Sequence, residues 1–404
     1  MIGLHAQAPE EEIGYNWGMS STQILSTPVL SSSVSSSAWE PRIRNLSARF
    51  ATRAASADED ATFVAQNYAE LKAEGFLAAA IPVELGGGGV SHSQMCDLLR
   101  VVGQHCGSTA LALSMHQHLL AAILWRHRQG QTGAEATLRR VAEQQPVMVS
   151  TGARDWTESN GVALKVPGGY RVSGTKAFAS QSAGGDLLVT SAQSQDPERR
   201  AVVVHFTVPL RADGVVLLDD WDTLGMRGTG SKTVRLTDVF VPDSAVTLVR
   251  PQEGFHPVFH VILAVAMPLI MSAYVGIAQR AAALVTEHAR QQARRKPHVG
   301  PALAAMHNEL ITAELNWRDL VRMANDLAFT PGMANSHEVV SRKTNTANAC
   351  MAVVTQALAI AGGPGYYRSF NLERLFRDIQ AARYHPLPEP DQLQFSGDHL
   401  LAGS

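Results

Sequence analysis

The sequence predicts an α+β fold made of an N-terminal all-α domain, a middle antiparallel β-barrel-like domain and a C-terminal helical bundle. Apolar residues recur at intervals of three and four from Trp39 to about Gln144, which is the period of an amphipathic helix. Near Pro146 the pattern changes to short segments rich in Val, Thr and Phe, separated by Gly, Asp and Ser turns, as in an antiparallel sheet. After Pro242 the helical period returns and continues to about residue 380.

These changes of period divide the chain into four parts. The first part contains the run Ser31–Ser37 with few large apolar residues nearby, which predicts a flexible Ser-rich arm. Because the β block interrupts two helical blocks, we expect a cleft where the three meet, which is where large ligands usually bind. The predicted parts are an arm (1–38), an N-terminal helical domain (39–145), a middle β-domain (146–245) and a C-terminal bundle (246–404).

Composition narrows the class of protein. The chain has 404 residues, 45% of them apolar and 17% charged, which suits two or three folded domains with a sizeable core. Its 34 Lys+Arg and 36 Asp+Glu give a net charge of −2, so no basic field indicates nucleic acid or an anionic membrane. The 3 cysteines include no closely spaced pair, which excludes a disulfide framework and a thiolate zinc site. We expect a soluble cytoplasmic protein without a bound metal.

One segment is apolar enough to be considered as a membrane span. Val261–Ala278 is an 18-residue stretch without a charged residue, the lower limit for crossing a bilayer. It contains Pro268 and runs without a turn signal into an amphipathic segment, as a helix buried on all sides would. The buried helix is the favoured interpretation. The N-terminus is not predicted to be a secretory signal, because acidic residues precede any apolar run.

Four motifs occur in a fixed order along the chain. They are Gly169–Ser180; Leu224–Ser231 leading into Asp238–Pro242; Gly276–Arg280; and Gln356–Tyr366, followed by Leu372–Asp378. With these motifs, residues 40–400 resemble the acyl-CoA dehydrogenase flavoprotein superfamily, and the tail is similar to that of its flavin monooxygenase branch. The resemblance implies a four-helix C-terminal bundle, bound FAD, a small-molecule substrate and a homo-oligomer, either a dimer or a tetramer.

The same resemblance implies which residues contact the flavin ring. An isoalloxazine ring favours a flat apolar neighbour and a few donors at its polar edge. Phe178 takes the aromatic place beside the ring, and Ser180 offers a hydroxyl toward the N5/O4 edge. Ser150 and Thr151 stand where the family contributes hydroxyls and backbone N–H groups to the pyrimidine side. Taken alone, Phe178 is equally consistent with an aromatic residue of the β core.

Further cofactor contacts are implied in the C-terminal part. Gln356, Gly362 and Gly363 correspond to a loop that contacts the FAD of a neighbouring subunit. The glycines are also consistent with an ordinary helix end, which Gly supplies without any ligand. Arg295 falls near the family's pyrophosphate-binding arginine, a role that suits a bidentate guanidinium. A solvated run of positive charge is the alternative for Arg295.

The lead hypothesis is the oxidation of an acyl thioester, with electrons passed to an electron-transfer flavoprotein. This reaction needs a carboxylate to take the α-proton while flavin N5 takes a hydride from the β-carbon. The family's glutamate motif is missing, and counting without gaps places Pro386 there. Glu389 is therefore the provisional base. The family's acyl-CoA-binding positions fall near Ala264 and Met267 here.

Two alternatives remain open. The first is a two-component monooxygenase that receives reduced flavin, FMN or FAD, from a flavin reductase and forms a C4a-hydroperoxide, with His385 as hydrogen-bond donor in a dry pocket. His116 and His118 are two positions apart and cannot share a helix face, so only one reaches the pocket, and His116 is preferred. A core histidine is the commoner explanation for either. The second alternative is an inactive scaffold that binds flavin or a thioester.

Overall fold

In this computed structural model the described residues are 38–198, 200–292 and 299–403. The arm predicted for residues 1–38 lies, apart from Ala38, outside the described residues. The N-terminal helices are α1 (Trp39–Glu59), α2 (Ala65–Ala73), α3 (His92–His105), α4 (Gly107–Arg128) and α5 (Ala134–Gln144).

Helices α3 and α4 form the centre of the N-terminal domain. Ser91 begins α3 with a capping box, in which its hydroxyl accepts from the Gln94 backbone N–H and the Gln94 side chain accepts from the Ser91 N–H. Cys106 ends α3 and precedes α4. From Gly107 through Ala121 every residue of α4 is buried, because its apolar side chains are distributed all round the helix. α4 is therefore a central helix that other elements surround.

The middle domain is one mainly antiparallel sheet, in the order β6-β7-β3-β2-β4-β5-β8, with β1 added beside β4. Two contacts are parallel: β1 with β4, and the single pair Val162–Gln193 between β2 and β4. A short helix, α6 (Ala153–Thr157), which the sequence did not predict, lies between β1 and β2. The strands are β1 (Met148–Ser150), β2 (Val162–Val166), β3 (Gly169–Lys176), β4 (Leu187–Gln195), β5 (Ala201–Pro209), β6 (Val215–Leu217), β7 (Val234–Pro242) and β8 (Val246–Pro251).

The β-domain has its own core. Alternate residues of the strands point inward, as the two-residue repeat of a strand requires. Val172, Leu188, Val204 and Phe206 are fully buried in this cluster, which is separate from the helical core. The prediction of an α+β fold with a β-domain between two helical domains is confirmed.

The C-terminal bundle is organised around one long helix. α7 (Pro257–Gln292) is long and apolar enough to cross a membrane, yet 94% of its apolar 18-residue stretch is buried inside the protein. This burial matches the prediction of a core helix. The other helices are α8 (Val299–Ala324), α9 (Met333–Ala361), α10 (Leu372–Ile379) and α11 (Glu389–Ala402). α11 lies within the predicted bundle but beyond residue 380, where the predicted helical period ends.

Two glycines allow α3 and α7 to approach closely. A Cβ atom at Gly276 would lie 2.3 Å from the Arg100 carbonyl oxygen, and one at Gly103 would lie 2.5 Å from the Ala273 carbonyl oxygen. Contacts this short exclude any side chain at either position. Gly276, part of one of the four motifs, therefore has a packing role that joins the N-terminal domain to the bundle.

Candidate active site

An exposed aromatic ring marks the rim of the β-domain. Phe178 follows β3, its backbone has a φ of 53°, and its side chain is 61% exposed. The Trp221 ring packs against it edge-on, with 6.0 Å between the ring centroids. A bulky non-glycine residue in the left-handed region is strained, and such strain is concentrated at functional sites. Phe178 is therefore not a β-core residue, and it offers a flat apolar surface to a planar ligand.

A hydroxyl group lies next to this surface. Ser180 belongs to a loop that contacts the end of the 3-10 helix Arg227–Thr229, where the Gln181 N–H donates to the Thr229 carbonyl at 3.0 Å. The Ser231 hydroxyl donates to Ser180 Oγ at 3.1 Å. Because Ser180 is the acceptor in this bond, its own proton remains available to a ligand.

Thr151 is tied to a buried ion pair that the sequence analysis missed. Thr151 Oγ1 donates to Asp155 Oδ2 at 2.7 Å, and Thr190 Oγ1 donates to the same oxygen at 2.9 Å. Lys176 Nζ contacts Asp155 Oδ1 at 2.7 Å, and both side chains are almost completely buried. Thr151 therefore presents oxygen lone pairs, not its proton, to a ligand. The signal for this network was Lys176 within the Gly169–Ser180 motif.

Ser150 connects the β-domain to α4. It is the last residue of β1 and is 3% exposed, with its hydroxyl 4.0 Å from Met115 Sδ. Met115 and His118 are three positions apart on α4, so they share one face of that helix. This face of α4 therefore meets the β-domain at Ser150.

The structure corrects the preference for His116. Its Nε2 lies 2.8 Å from the Leu77 carbonyl, which can only accept, so Nε2 carries the proton. Its Nδ1 accepts from the Met148 N–H at 3.1 Å. Burial lowers the pKa of His116 to about 4, so the ring is neutral at physiological pH. Both nitrogens of His116 are committed to backbone groups, and it is a core residue.

His118 is the histidine of α4 with spare hydrogen-bonding capacity. Its side chain is buried, with the residue 5% exposed; Nδ1 makes no well-aligned hydrogen bond in the described part of the chain, and the Ser114 carbonyl one turn earlier acts on the ring. Burial lowers the pKa of His118 to about 4. It lies close enough to His385 to lower the pKa of that residue.

His385 forms a neutral pair with a tyrosine of the long helix. Tyr274 Oη lies 2.5 Å from His385 Nε2, and the two rings are 5.4 Å apart. Burial lowers the pKa of His385 to about 3, with Lys343 and His118 adding to the effect, and burial raises the pKa of Tyr274 well above its ordinary value. Neither side chain carries a charge at neutral pH.

Glu389 occupies a different environment. It is the first residue of α11, is exposed to solvent, and accepts from Asn348 Nδ2 at 3.1 Å. The nearby Lys343 is buried and donates to the Leu387 carbonyl at 2.9 Å. Burial lowers the pKa of Lys343 to about 8. The cluster around His385 thus contains histidines, a tyrosine and a lysine, whereas Glu389 lies at the surface.

Ala264 and Met267 are buried on α7. Positions 264, 267, 271 and 274 are spaced by three and four, so these residues share one face of the helix with Tyr274. That face is apolar apart from the tyrosine hydroxyl, and it provides a water-poor surface beside His385.

The remaining predicted cofactor residues lie on α9 or the loop after it, apart from Arg295. Gly362 ends α9 with a φ of 63° and donates its N–H to the Leu358 carbonyl, as a helix cap does. A Cβ at Gly362 or Gly363 would meet nothing within 4 Å, and Tyr366 in the same loop is 88% exposed. Gln356 is half-buried near the end of α9. Arg295 lies outside the described residues.

The Arg377–Asp378 end of the last motif has structural partners. Arg377 forms a bidentate pair with Asp58 of α1 and also contacts Glu373. Asp378 is buried and accepts from the Met226 N–H at 2.5 Å. Burial raises the pKa of Asp378 to about 6. This Arg–Asp pair fixes α10 against the N-terminal domain and the β-domain loop.

Two helical domains lie around a β-sheet domain, and the rim of the sheet carries an exposed ring and hydroxyls. This arrangement defines a flavin-dependent oxidoreductase. The family models for the acyl-CoA dehydrogenase N-terminal, middle and C-terminal domains match residues 42–132, 151–239 and 269–389. The chain therefore belongs to the acyl-CoA dehydrogenase family.

Its relatives fall into several reaction classes. It is 25% identical over 372 residues to the putative acyl-CoA dehydrogenase YdbM of Bacillus subtilis, covering 86% of this chain and 92% of the relative. It is 29% identical to the amino sugar nitrososynthase DnmZ of Streptomyces peucetius, covering 85% and 88%. It is 25% identical to a dibenzothiophene monooxygenase of Mycolicibacterium goodii, covering 89% and 92%.

Solved structures show the same fold. KijD3 in complex with FMN and a dTDP-linked amino keto sugar superposes with a TM-score of 0.79 at 25% identity, covering 91% of this chain and 93% of KijD3. FMN-bound TdsC from Paenibacillus sp. A11-2 also gives 0.79, at 19% identity and with coverage of 91% and 98%.

Proposed function

We propose that this protein is a two-component flavin monooxygenase, which uses reduced flavin from a separate flavin reductase and molecular oxygen to oxidise a small molecule. The observation that carries the proposal is the neutral Tyr274–His385 pair, with its 2.5 Å hydrogen bond. Thioester dehydrogenation needs a carboxylate in the crevice, whereas oxygen transfer needs a hydrogen-bond donor and the exclusion of water. The Tyr274–His385 pair supplies the hydrogen-bond donor, and the apolar face of α7 excludes water.

The residues at the rim of the β-domain fit a flavin. The exposed Phe178 ring, held in a strained backbone conformation, would cover one face of the isoalloxazine, and Ser180 would donate to its polar edge. Ser150 and Thr151 would face the pyrimidine side. When bound and reduced, the flavin supplies the electrons that activate oxygen. We propose FMN because KijD3 and TdsC bind it; FAD, usual in the family, is the alternative.

The protein's own residues would control the proton. A neutral imidazole donates at one nitrogen and accepts at the other, so His385 can hold a proton for an oxygen atom while Tyr274 fixes the ring. Ala264 and Met267 would keep water from this position. His118, rather than His116, would be the histidine of α4 that reaches the substrate, because its Nδ1 makes no well-aligned hydrogen bond within the described ranges.

We also propose that the protein works as a homo-oligomer in the cytoplasm. The loop Gly362–Tyr366 is exposed and has room above both glycines, which suits contact with a flavin or a surface of a second copy. Gln356 would join that contact.

Acyl-thioester dehydrogenation is the second candidate. Glu389 begins α11 four residues after His385, and its charge raises the pKa of the buried Lys343, so it stands next to the crevice residues. A movement of the Pro386–Pro388 segment would be needed to bring it inward. Electrons would then pass to an electron-transfer flavoprotein.

Anaerobic and aerobic assays distinguish the two reactions. The FMN-loaded protein is titrated anaerobically with acyl-CoAs of several chain lengths, and visible absorbance is followed. Separately, oxygen uptake and ¹⁸O incorporation into indole are measured with NADH and a flavin reductase. We expect no bleaching by acyl-CoA, and label in the product only when the reductase is present.

Bleaching by an acyl-CoA that is lost in Glu389→Gln would contradict the monooxygenase and establish the dehydrogenase. For the monooxygenase, His385→Asn should abolish labelled product while Glu389→Gln retains it. Flavin binding without either reaction, across a broad substrate panel, would favour the inactive scaffold.

A further inference from the structure

The rim loop, Phe178–Gln181, contains two residues in a strained backbone conformation. Phe178 has a φ of 53° and Gln181 has a φ of 62°, so both lie in the left-handed region, which is unfavourable for residues other than glycine. They bracket the short segment that presents the aromatic surface and the Ser180 hydroxyl. Such strain persists only where surrounding contacts over-determine the conformation.

The Gln181 side chain supplies contacts of this kind. It is fully buried; its Nε2 donates to the Met148 carbonyl at 2.7 Å, and its Oε1 accepts from the hydroxyl of Tyr68 on α2. Because a carbonyl can only accept, the amide has one orientation, with Nε2 toward Met148, and Tyr68 is the donor in the other bond. One side chain therefore ties the rim loop both to β1 and to the N-terminal domain.

Met148 extends this connection to α4. Its N–H donates to His116 Nδ1 at 3.1 Å, and His116 Nε2 donates in turn to the Leu77 carbonyl at 2.8 Å. The side chains of Tyr68, Gln181 and His116 are all buried, where hydrogen bonds are stronger than in water. His116 therefore belongs to a buried chain of hydrogen bonds that ends at the rim loop.

We propose that Tyr68 and Gln181 are positioning residues for the flavin, which hold the rim loop in its binding conformation before the flavin arrives. This inference rests on the proposed function, which assigns the ring to Phe178 and Ser180. Both side chains are buried, so they would act through the loop and not by contact with the ring. A preformed site avoids the free-energy cost of ordering a loop on binding.

The test is FMN binding, followed by quenching of flavin fluorescence, in two matched variants. Gln181→Met keeps the length of the side chain and removes both of its hydrogen bonds. Gln117→Met is the control, because Gln117 is also buried and its Nε2 donates to a main-chain carbonyl, that of Phe76 at 3.0 Å, with no bond to the rim loop. We expect the Kd for FMN to rise about tenfold in Gln181→Met and to stay unchanged in Gln117→Met, although Tm falls in both.

A milder variant and a spectrum separate positioning from general destabilisation. Tyr68→Phe removes one hydroxyl and should raise the Kd about threefold. The double variant Tyr68→Phe/Gln181→Met should bind FMN no more weakly than Gln181→Met, because the two residues share one hydrogen bond. The visible circular dichroism of saturating FMN depends on how the ring is seated against the protein, and it should change in Gln181→Met and not in Gln117→Met.

An unchanged FMN affinity in Gln181→Met, together with a lowered Tm, would overturn the proposal, because Gln181 would then only stabilise the fold. An equal loss of affinity in Gln117→Met would also overturn it. So would a double variant whose loss equals the product of the two single losses. These titrations do not depend on oxygen transfer, so a protein that binds FMN without labelling product contradicts the proposed reaction and not the roles of Tyr68 and Gln181.

Discussion

The hydroxyl of Tyr274 and Nε2 of His385 are 2.5 Å apart, which joins the middle of the longest helix to the loop before α11. The two residues are far apart in sequence, and each ring is neutral because burial shifts its pKa away from the physiological range. A side chain that can donate or accept a proton is thus held one residue before Pro386, the position to which counting along the chain assigned the family's glutamate.

Removal of the Tyr274 hydroxyl should reduce both stability and turnover. Tyr274→Phe leaves a nitrogen of the half-buried His385 without its partner, which costs about 0.5–1.5 kcal/mol in the free energy of unfolding. If the pair controls a proton, product formation should fall by about 100-fold. Urea unfolding and product formation by mass spectrometry measure the two effects. Tyr384→Phe alters an exposed neighbouring tyrosine and should change neither; equal losses in both variants would contradict the role of the pair.

Phe178 should contribute to flavin affinity. Phe178→Ala removes the aromatic surface, and an aromatic stacking contact contributes about 0.5–1.5 kcal/mol, which corresponds to roughly a 2- to 13-fold weaker Kd for FMN. Phe178→Trp should retain the affinity. Flavin fluorescence quenching provides the measurement. The control is Phe240→Ala, which removes an exposed phenylalanine of β7; the same loss of affinity there would mean that the effect is not specific to the rim.

The buried ion pair Lys176–Asp155 should be important for folding. Its side chains are 0% and 5% exposed, so Lys176→Met leaves an uncompensated carboxylate and should destabilise the protein by about 3–5 kcal/mol. Lys165→Met disrupts the exposed pair with Asp243 and should cost about 0–1 kcal/mol. Chemical denaturation of both variants tests this contrast. Similar midpoints for the two variants would show that the buried pair contributes no more than a surface pair.

Stability should fall as the pH is lowered from about 6.5 to 4. The pKa values of His116, His118 and His205 are lowered to about 4 and that of His385 to about 3, whereas the unfolded chain protonates near 6.5. In this interval the unfolded state binds more protons, so the free energy of unfolding decreases with falling pH. Asp378 acts in the opposite direction, because its folded pKa of about 6 exceeds the ordinary 3.8.

Calorimetric Tm values between pH 7 and pH 4 measure this dependence. Because four histidines oppose one carboxyl group, we expect a net loss of stability in acid. Asp378→Asn removes the opposing contribution and should make the loss steeper. A Tm that stays constant or rises toward pH 4 would contradict the assignment of neutral buried histidines.

Local sequence patterns determined the fold class and the central role of α7. The apolar period identified the helical and β regions, and the uncharged run Val261–Ala278 indicated a buried helix, because these features depend on residues close together in the chain. The short helix α6 and the final helix α11 were missed. α6 has only five residues, too few to show a helical period, and α11 follows a Pro-rich segment after which no helical period is evident.

The composition of the candidate site was decided by tertiary structure. The choice between His116 and His118 depends on which backbone groups meet each ring, and Leu77 and Met148 come to His116 from other elements. The pairing of Tyr274 with His385 and the burial of Lys343 likewise arise from helices that meet only in the folded chain. Sequence periodicity records which face of an element is buried, but hydrogen bonds and desolvation depend on distances across elements, and only the fold sets those distances.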